Sequence, residues 1–99
     1  MAIDAILLKA TDNVATAVQD LQKGQTAVVR LERDISTVII QENIPYGHKF
    51  ACRPINSGDN IIKYGEVIGR ATAVISAGCH AHVQNIESLR GRGDLRRES

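Results

Sequence analysis

A chain of 99 residues forms one domain near the lower end of ordinary domain size, and it cannot enclose a deep active-site cleft of its own. Its formal net charge of +1 gives no field that would draw it to nucleic acid or to a membrane surface, and no segment has the length of a transmembrane helix. With one Phe, two Tyr and no Trp, the core must consist of Val, Ile, Leu and Ala side chains.

The first ten residues and the two cysteines indicate the compartment. The segment MAIDAILLKA contains Asp4 and lacks the basic region of a secretory signal, so we expect a cytoplasmic protein. In a reducing cytosol we expect Cys52 and Cys79 to be free thiols that fill small apolar spaces. No C-x-x-C pair is present to bind a structural zinc ion. Because Cys79 precedes His80, a metal ligand or a reactive thiol is the alternative for that residue.

The first half of the chain predicts short strands. Ala5–Leu8 is an apolar run of strand length. Residues 14–21 fit a helical face and a strand equally well, and we favour a strand because Lys23-Gly24-Gln25 supplies a hairpin-like turn after it. That turn leads into the predicted strand Thr26–Leu31, and the β-branched run Ser36–Ile40 predicts another.

In the second half, glycines separate further apolar runs. Pro45-Tyr46-Gly47 interrupts the chain and is compatible with a single helical turn. We predict four more strands, at Lys49–Cys52, Ile61–Tyr64, Ala71–Ile75 and His80–Ile86. Many short strands with glycine turns are typical of a compact all-β barrel or clip.

A short sequence pattern is repeated weakly at three of these turns. An aliphatic residue is followed, after two variable positions, by glycine in the pairs Leu21/Gly24, Ile55/Gly58 and Ile75/Gly78. The pattern predicts an inward-facing apolar anchor before a turn whose fourth residue has positive φ. From Arg90 onward the sequence is polar and charged, so we divide the chain into a folded domain at 1–88 and a flexible tail or linker at 89–99.

Several segments together resemble the altronate/galactarate dehydratase family. They are DNVA at 12–15, IPYGHKFA at 44–51, IKYGEVIGRA at 62–71 and HAHVQN at 80–85. The resemblance covers nearly the whole chain and is to the small N-terminal SAF-type domain of these enzymes, which implies a β-clip fold. The family also includes a sulfolactate sulfo-lyase whose small subunit is a separate chain. Because this sequence stops at Ser99, we expect a free-standing small subunit.

The resemblance implies a reaction and a set of site residues. The family removes water from a polyhydroxy acid to give a 2-keto-3-deoxy acid, with a divalent metal that is iron in related enzymes. We expect such a metal to be held mainly by a partner subunit. The candidate residues are His48 for catalysis, Lys49, Lys63 and Arg70 for binding an anionic substrate, and His80 and His82 as metal ligands.

Each candidate has a structural alternative. His48 and Lys49 would cap a turn, Lys63 and Arg70 would be surface or interface charges, and the histidine pair would form structural hydrogen bonds. The family often has a third histidine at the position of Gln84. Counted along this one strand, the imidazoles are therefore one short of a three-histidine metal site.

The partners follow from the favoured function. We predict the small subunit of a sugar-acid hydro-lyase that acts on a hexonic or hexaric acid together with a large catalytic dehydratase subunit. We expect the isolated chain to be inactive, leave homo-oligomerisation open, and expect no nucleic-acid or membrane partner. The alternatives are the small subunit of a sulfolactate sulfo-lyase and a non-catalytic module that binds sugar acids.

Overall fold

The computed structural model describes residues 2–88, which form nine short strands and no helix. The strands are β1 (Ala5–Leu7), β2 (Val14–Ala17), β3 (Thr26–Leu31), β4 (Asp34–Ile39), β5 (Lys49–Ala51), β6 (Asn60–Lys63), β7 (Glu66–Ala71), β8 (His80–Ala81) and β9 (Ile86–Ser88). No helix in this part of the chain has the length and apolar character needed to cross a membrane. The predicted all-β fold class is confirmed.

The strands form two sheets. The first has six strands in the order β4-β3-β1-β2-β5-β8, and the second has three in the order β6-β7-β9. The β1–β3 pair is parallel and every other pair of named strands is antiparallel. This order places β8 beside β5 although about 30 residues separate them in sequence, and it brings the HAHVQN segment next to the GHK segment.

Two aliphatic cores stabilise the sheets, as the composition requires. The first surrounds the fully buried ring of Phe50 and the second surrounds Ile61. Burying a large aliphatic or aromatic side chain stabilises the fold by about 1.5–3 kcal/mol. The first core consists of Ala5, Ala15, Ala17, Leu21, Ala27, Val29, Ile40, Ile44 and Phe50, and the second of Val14, Ala51, Ile55, Ile61, Ala71, Ile75 and Ala81.

The three anchors predicted from the repeated turn pattern are buried. Leu21, Ile55 and Ile75 each expose about 1% of their surface. Leu21 forms a bridge with Ile44, and Ile55 forms one with Ile75. The glycines that follow them have φ values of 88–92°, a left-handed conformation that glycine adopts without steric cost. The pattern therefore marks places where the chain enters the core and turns away from it.

The two sheets are joined by a polar contact that we call the Asp12–Asn13 clasp. Asp12 accepts hydrogen bonds from the backbone N–H groups of Leu8 and Lys9 through Oδ2 and from Gly65 through Oδ1, at 2.7–3.2 Å. The Asn13 side chain donates to the Asn60 carbonyl and accepts from the Ile62 N–H, both at 2.8 Å. Both clasp residues are buried. Two residues of the DNVA segment thus fix the β6–β7 hairpin against the first sheet.

The structure corrects three local predictions. Ala71–Ile75 is not a strand, because β7 ends at Ala71 and Ile75 forms only an isolated bridge. His80–Ile86 is not one strand, because the turn closed by the His82 N–H bond to Asn85 Oδ1 separates β8 from β9. The turn at 45–47 is not helical. Between Ala71 and Ile75 the chain bends and the side chains of 72–74 are exposed, so the apolar residues there do not continue the β7 ladder. The predicted tail at 89–99 lies outside the described residues.

Candidate metal centre

His48 lies directly before β5, at the end of the turn that begins at Pro45. Its N–H donates to the Pro45 carbonyl at 3.0 Å, and its carbonyl accepts the N–H of Ala17 at 2.9 Å. The second of these bonds ties the backbone of His48 to the end of β2. The position of the imidazole is therefore set by the six-stranded sheet rather than by a free loop.

His80 and His82 are held by the last turn before β9. His80 lies in β8, where it pairs with Phe50, and its N–H donates to Glu42 Oε1 at 2.8 Å. Asn85 bridges the two histidines, because its amide donates to the His80 carbonyl and its Oδ1 accepts the His82 N–H, both at 2.9 Å. The sequence interpretation missed this role of Asn85, although the residue closes the HAHVQN segment that carried the resemblance.

All three histidines of the chain meet in one group, which we call the His cluster. His48 Nδ1 lies 2.9 Å from His80 Nε2. The rings are stacked, with centroids 4.7 Å apart for His48 and His82, 5.1 Å for His48 and His80, and 5.3 Å for His80 and His82. One nitrogen from each ring lies within 4.8 Å of the other two, and all three side chains are half-buried. Three ligand atoms therefore converge on one small region.

The chemistry of these donors fits a transition-metal ion. Imidazole nitrogen is a suitable ligand for Fe, Zn, Ni and Cu. Three protein ligands leave coordination positions open for a bound molecule, as in catalytic metal sites, whereas structural sites are closed by a fourth ligand. Because the rings are half-buried rather than enclosed, a small molecule can reach the cluster from solvent.

The electrostatics favour the form of imidazole that binds metal. Burial lowers the pKa of His80, and the neighbouring His48 and His82 lower it further, in opposition to Glu42. Burial also lowers the pKa of His82, with smaller contributions from His48 and Lys49. These shifts favour the neutral form of both rings, which is the form that offers a nitrogen lone pair to a cation.

The count of imidazoles changes once the sheet order is known. The sequence analysis counted histidines along one strand and found Gln84 where the family often has the third. In the structure the third imidazole is His48, which comes from the neighbouring strand region. The Gln84 amide lies 3.4 Å from His80 Nδ1, beside the cluster. The missed signal was the GHK motif itself, which was noted but not linked to β8.

Two of the predicted substrate-binding residues, Lys49 and Lys63, come close together but not within the His cluster. Lys49 is the first residue of β5 and directly follows His48, and because successive side chains alternate between the faces of a strand, the two leave the chain on opposite faces. Its charge still adds to burial in lowering the pKa of His80 and His82. It is half-buried, and burial followed by the positive charge of Lys63 lowers its pKa. Lys63 Nζ lies 4.7 Å from the centre of the Tyr64 ring.

Arg70, the third predicted substrate-binding residue, lies in the three-stranded sheet, as Lys63 does. It projects from β7 and forms an ion pair with Glu87 of β9 at 3.3 Å, and both side chains are 43% exposed. Its guanidinium therefore has a carboxylate partner within the described structure, unlike the two lysines.

Both cysteines are free, as predicted. Burial raises the pKa of Cys52 to about 12, which leaves a neutral thiol at neutral pH. Burial and the carboxylate of Glu42 also raise the pKa of Cys79. Cys79 does not belong to the group of converging metal ligands found among the described residues. These properties agree with the apolar filler role rather than with a reactive thiol.

Residues 3–89 match the family model of the altronate/galactarate dehydratase SAF domain. Altronate dehydratase from Escherichia coli (strain K12) is 45% identical to this chain over 80 residues, which cover 81% of this chain and 15% of the relative. Altronate dehydratase from Bacillus subtilis (strain 168) is 40% identical over 77 residues, with 78% and 15% covered. The chain thus spans about a seventh of the length of these dehydratases.

A third relative has the size of this chain. The subunit alpha of (2R)-sulfolactate sulfo-lyase from Chromohalobacter salexigens is 33% identical over 93 residues, which cover 91% of this chain and 99% of the relative. The relatives are therefore lyases, and the same domain occurs both as a small part of a long enzyme and as a separate subunit. The resemblance found from the sequence motifs is confirmed.

Proposed function

This chain belongs to the family of SAF domains of altronate/galactarate dehydratases, and we propose that it is the small subunit of a cytoplasmic sugar-acid hydro-lyase. In this proposal it assists the metal-dependent removal of water from a hexonic or hexaric acid. The observation that carries the proposal is the His cluster, in which His48, His80 and His82 direct three ligand atoms to one place. A domain that served only as a structural spacer would not need three imidazoles gathered at one half-buried place.

The dehydration removes one proton and one hydroxyl group from neighbouring carbons of the acid. A base removes the proton from the carbon next to the carboxylate, the hydroxyl group on the following carbon leaves as water, and the resulting enol rearranges to a 2-keto-3-deoxy acid. A divalent ion bound at the imidazoles would act as a Lewis acid toward the substrate oxygens. His48, His80 and His82 would hold the ion, and Asn85 keeps the backbones of His80 and His82 in place.

His48 has two proposed roles that experiment can separate. Its Nδ1 contact with His80 places it within the ligand set, which favours the role of third metal ligand. The alternative role is proton transfer to or from the substrate, which typically contributes about 10²–10⁴-fold to a rate. The first role predicts that His48→Ala loses metal, and the second predicts that it keeps metal and loses turnover.

A larger partner completes the proposed enzyme. The dehydratases contain far more chain than this domain, and the sulfo-lyase relative is by name a subunit. A domain of 99 residues offers no deep cleft in which to exclude water from a reacting acid. We therefore expect the purified chain to bind metal but to show no turnover, and we expect a large partner to supply the remaining ligands and the base.

Metal binding is tested on the full 99-residue chain with Co²⁺, followed by visible absorption, and with Fe²⁺ under anaerobic conditions. We expect one ion per chain, and we expect His80→Ala and His82→Ala to weaken binding by at least about 100-fold, because even outer-shell partners contribute about 10–100-fold. Cys79→Ser is the control and should bind like the wild type. Equal binding by the wild type and the histidine variants would refute a metal centre at the His cluster.

A sulfo-lyase reaction is the second candidate, because the Chromohalobacter subunit is matched along 99% of its length. Co-purification of this chain with its partner, followed by assays of altronate, galactarate and sulfolactate, separates the two reactions. A 2-keto-3-deoxy acid product would establish the hydro-lyase, whereas sulfite release would establish the sulfo-lyase. Absence of any partner, with sugar-acid binding by the chain alone, would overturn the subunit role.

A further inference from the structure

Two lysines meet at the junction of the two sheets, on the face of β5 opposite the His cluster. Lys49 in β5 lies opposite Thr16 of β2 in the antiparallel register, so their side chains share one face. Thr16 Oγ1 is 3.4 Å from the hydroxyl oxygen of Tyr64. Lys63 Nζ lies 4.7 Å from the centre of the Tyr64 ring. The four side chains therefore form a continuous group contributed by β2, β5 and the end of β6.

The positive charges of this group have no counter-charge in the described structure. Within residues 2–88 the salt bridge is that between Arg70 and Glu87, so neither Lys49 nor Lys63 has a carboxylate partner there. Both lysines are half-buried rather than fully solvated. Two like charges held near one another and partly removed from water are destabilised, and a bound anion would relieve this repulsion.

The two hydroxyl groups add directional donors. A hydroxyl has one proton to donate and lone pairs that accept. When one of Thr16 and Tyr64 donates to the other, the second still has a proton that can point outward toward a ligand. Two ammonium groups and one hydroxyl donor match a carboxylate or a sulfonate, whose oxygens only accept hydrogen bonds.

We propose that Lys49, Lys63, Thr16 and Tyr64 form a binding site for the acid group of a small hydroxy acid. The site contains none of the cluster histidines, although Lys49 lies near enough for its charge to act on His80 and His82. Only the identification of the acid as the enzyme's substrate rests on the proposed function. The anion site itself requires neither the metal nor the partner, so each of the two proposals survives the failure of the other.

The test uses the full chain, from which metal is first removed with a chelator that is then dialysed away, and two matched probes. Tartrate carries two hydroxyls between two carboxylates, and threitol has the same skeleton with alcohols in place of the acids. Binding is followed by calorimetry and by amide chemical shifts. We expect saturable binding of tartrate, shift changes centred on Thr16, Lys63 and Tyr64, and no binding of threitol.

Variants assign the binding to the two lysines. We expect Lys49→Met and Lys63→Met each to weaken tartrate binding about tenfold, the range expected when a charge-assisted hydrogen bond is lost. Lys23→Met is the control, since it removes the same charge from an exposed turn, and it should bind tartrate like the wild type. Lys49→Arg retains the charge and should bind within about threefold, so the assignment holds even where Lys49→Met does not fold.

Three results would overturn the proposal. The first is no saturable binding of tartrate by the wild type. The second is equal weakening in Lys23→Met and in the two site variants, which would indicate a net-charge effect only. The third is equal binding of threitol and tartrate, which would remove the acid group as the recognised feature.

Discussion

The Asp12–Asn13 clasp and the His cluster are both groups of polar side chains in a small aliphatic domain, but their polar atoms have different partners. In the clasp the side-chain oxygens and the Asn13 amide bond to backbone groups of the chain. In the His cluster the rings lie mainly against one another and remain half-buried. A buried polar group is costly unless it is hydrogen-bonded, so the first pattern indicates structure. In the second pattern the ring nitrogens contact one another and Gln84, and this is the group that we propose binds a ligand from outside the chain.

Gly78→Ala should have the largest effect, and it tests how the His cluster is positioned. A Cβ at residue 78 would lie 2.0 Å from the Ile39 carbonyl oxygen, and the residue has φ of +88°. Strain and overpacking together should lower the free energy of unfolding by about 3 kcal/mol or more. Urea denaturation measures this loss.

Gly58→Ala is the matched control for that substitution. Its φ is +92°, but a Cβ there meets no atom within 4 Å. Gly58→Ala should therefore lower the free energy of unfolding by about 1–2 kcal/mol, the cost of holding an alanine in the left-handed conformation. Similar losses in the two variants would show that the close approach to Ile39 does not hold the turn before β8.

Asp12→Ala should destabilise the domain by about 3 kcal/mol, because backbone N–H groups from both sheets lose their acceptor. Metal binding at the His cluster should persist in the folded fraction. Asp34→Ala is the control on the exposed strand β4 and should change the unfolding free energy by less than about 0.5 kcal/mol. Equal denaturation midpoints for the two variants would contradict the structural role of the clasp.

The pH dependence of stability should distinguish the clasp from ordinary surface carboxylates. Burial alone would raise the pKa of Asp12, but hydrogen bonds from the backbone N–H groups of Gly65, Lys9 and Leu8 outweigh it, and the pKa lies below 3.8. The carboxylate therefore stabilises the fold fully above its unfolded-state pKa, and this contribution is lost as the pH falls through the folded-state value.

We expect the wild type to lose stability more steeply than Asp12→Asn as the pH falls below about 4, which is near the unfolded-state pKa of an aspartate. Urea midpoints measured at a series of pH values provide the test. Parallel curves for the two proteins would assign the acid sensitivity to other groups.

Arg70→Met should have the smallest effect, because the Arg70–Glu87 pair is exposed on both sides. Exposed ion pairs contribute about 0–1 kcal/mol, and salt weakens them further. Thermal melts in low and high salt measure the difference from the wild type. A loss of unfolding free energy much above 1 kcal/mol would show that the aliphatic part of the Arg70 side chain stabilises the fold by packing, in addition to the ion pair.

Arg70→Met also bears on the role that the sequence predicted for this residue. If Arg70 binds substrate in the assembled enzyme, the variant should raise KM while its stability stays nearly unchanged. An unchanged KM would leave Arg70 as one member of a surface ion pair.

The sequence by itself determined the class of fold, the aliphatic core and the family. Thr26–Leu31 forms a strand with the predicted bounds, because β-branched residues between two turns favour the extended conformation of a strand. The buried anchors at Leu21, Ile55 and Ile75 were also visible, since each stands at the same distance from a glycine that must turn the chain. These features depend on residues that are near one another in the chain.

Only the tertiary structure decided which polar residues act together. His48 is 32 residues from His80, and they meet because β5 and β8 are neighbours in the sheet. The same holds for Asp12 and Gly65, which are 53 residues apart and whose hydrogen bond links the two sheets. Local periodicity reports which face a side chain occupies, but not which distant strand covers that face. Strand order supplies this information, and here it brings together three imidazoles from two distant segments of the chain.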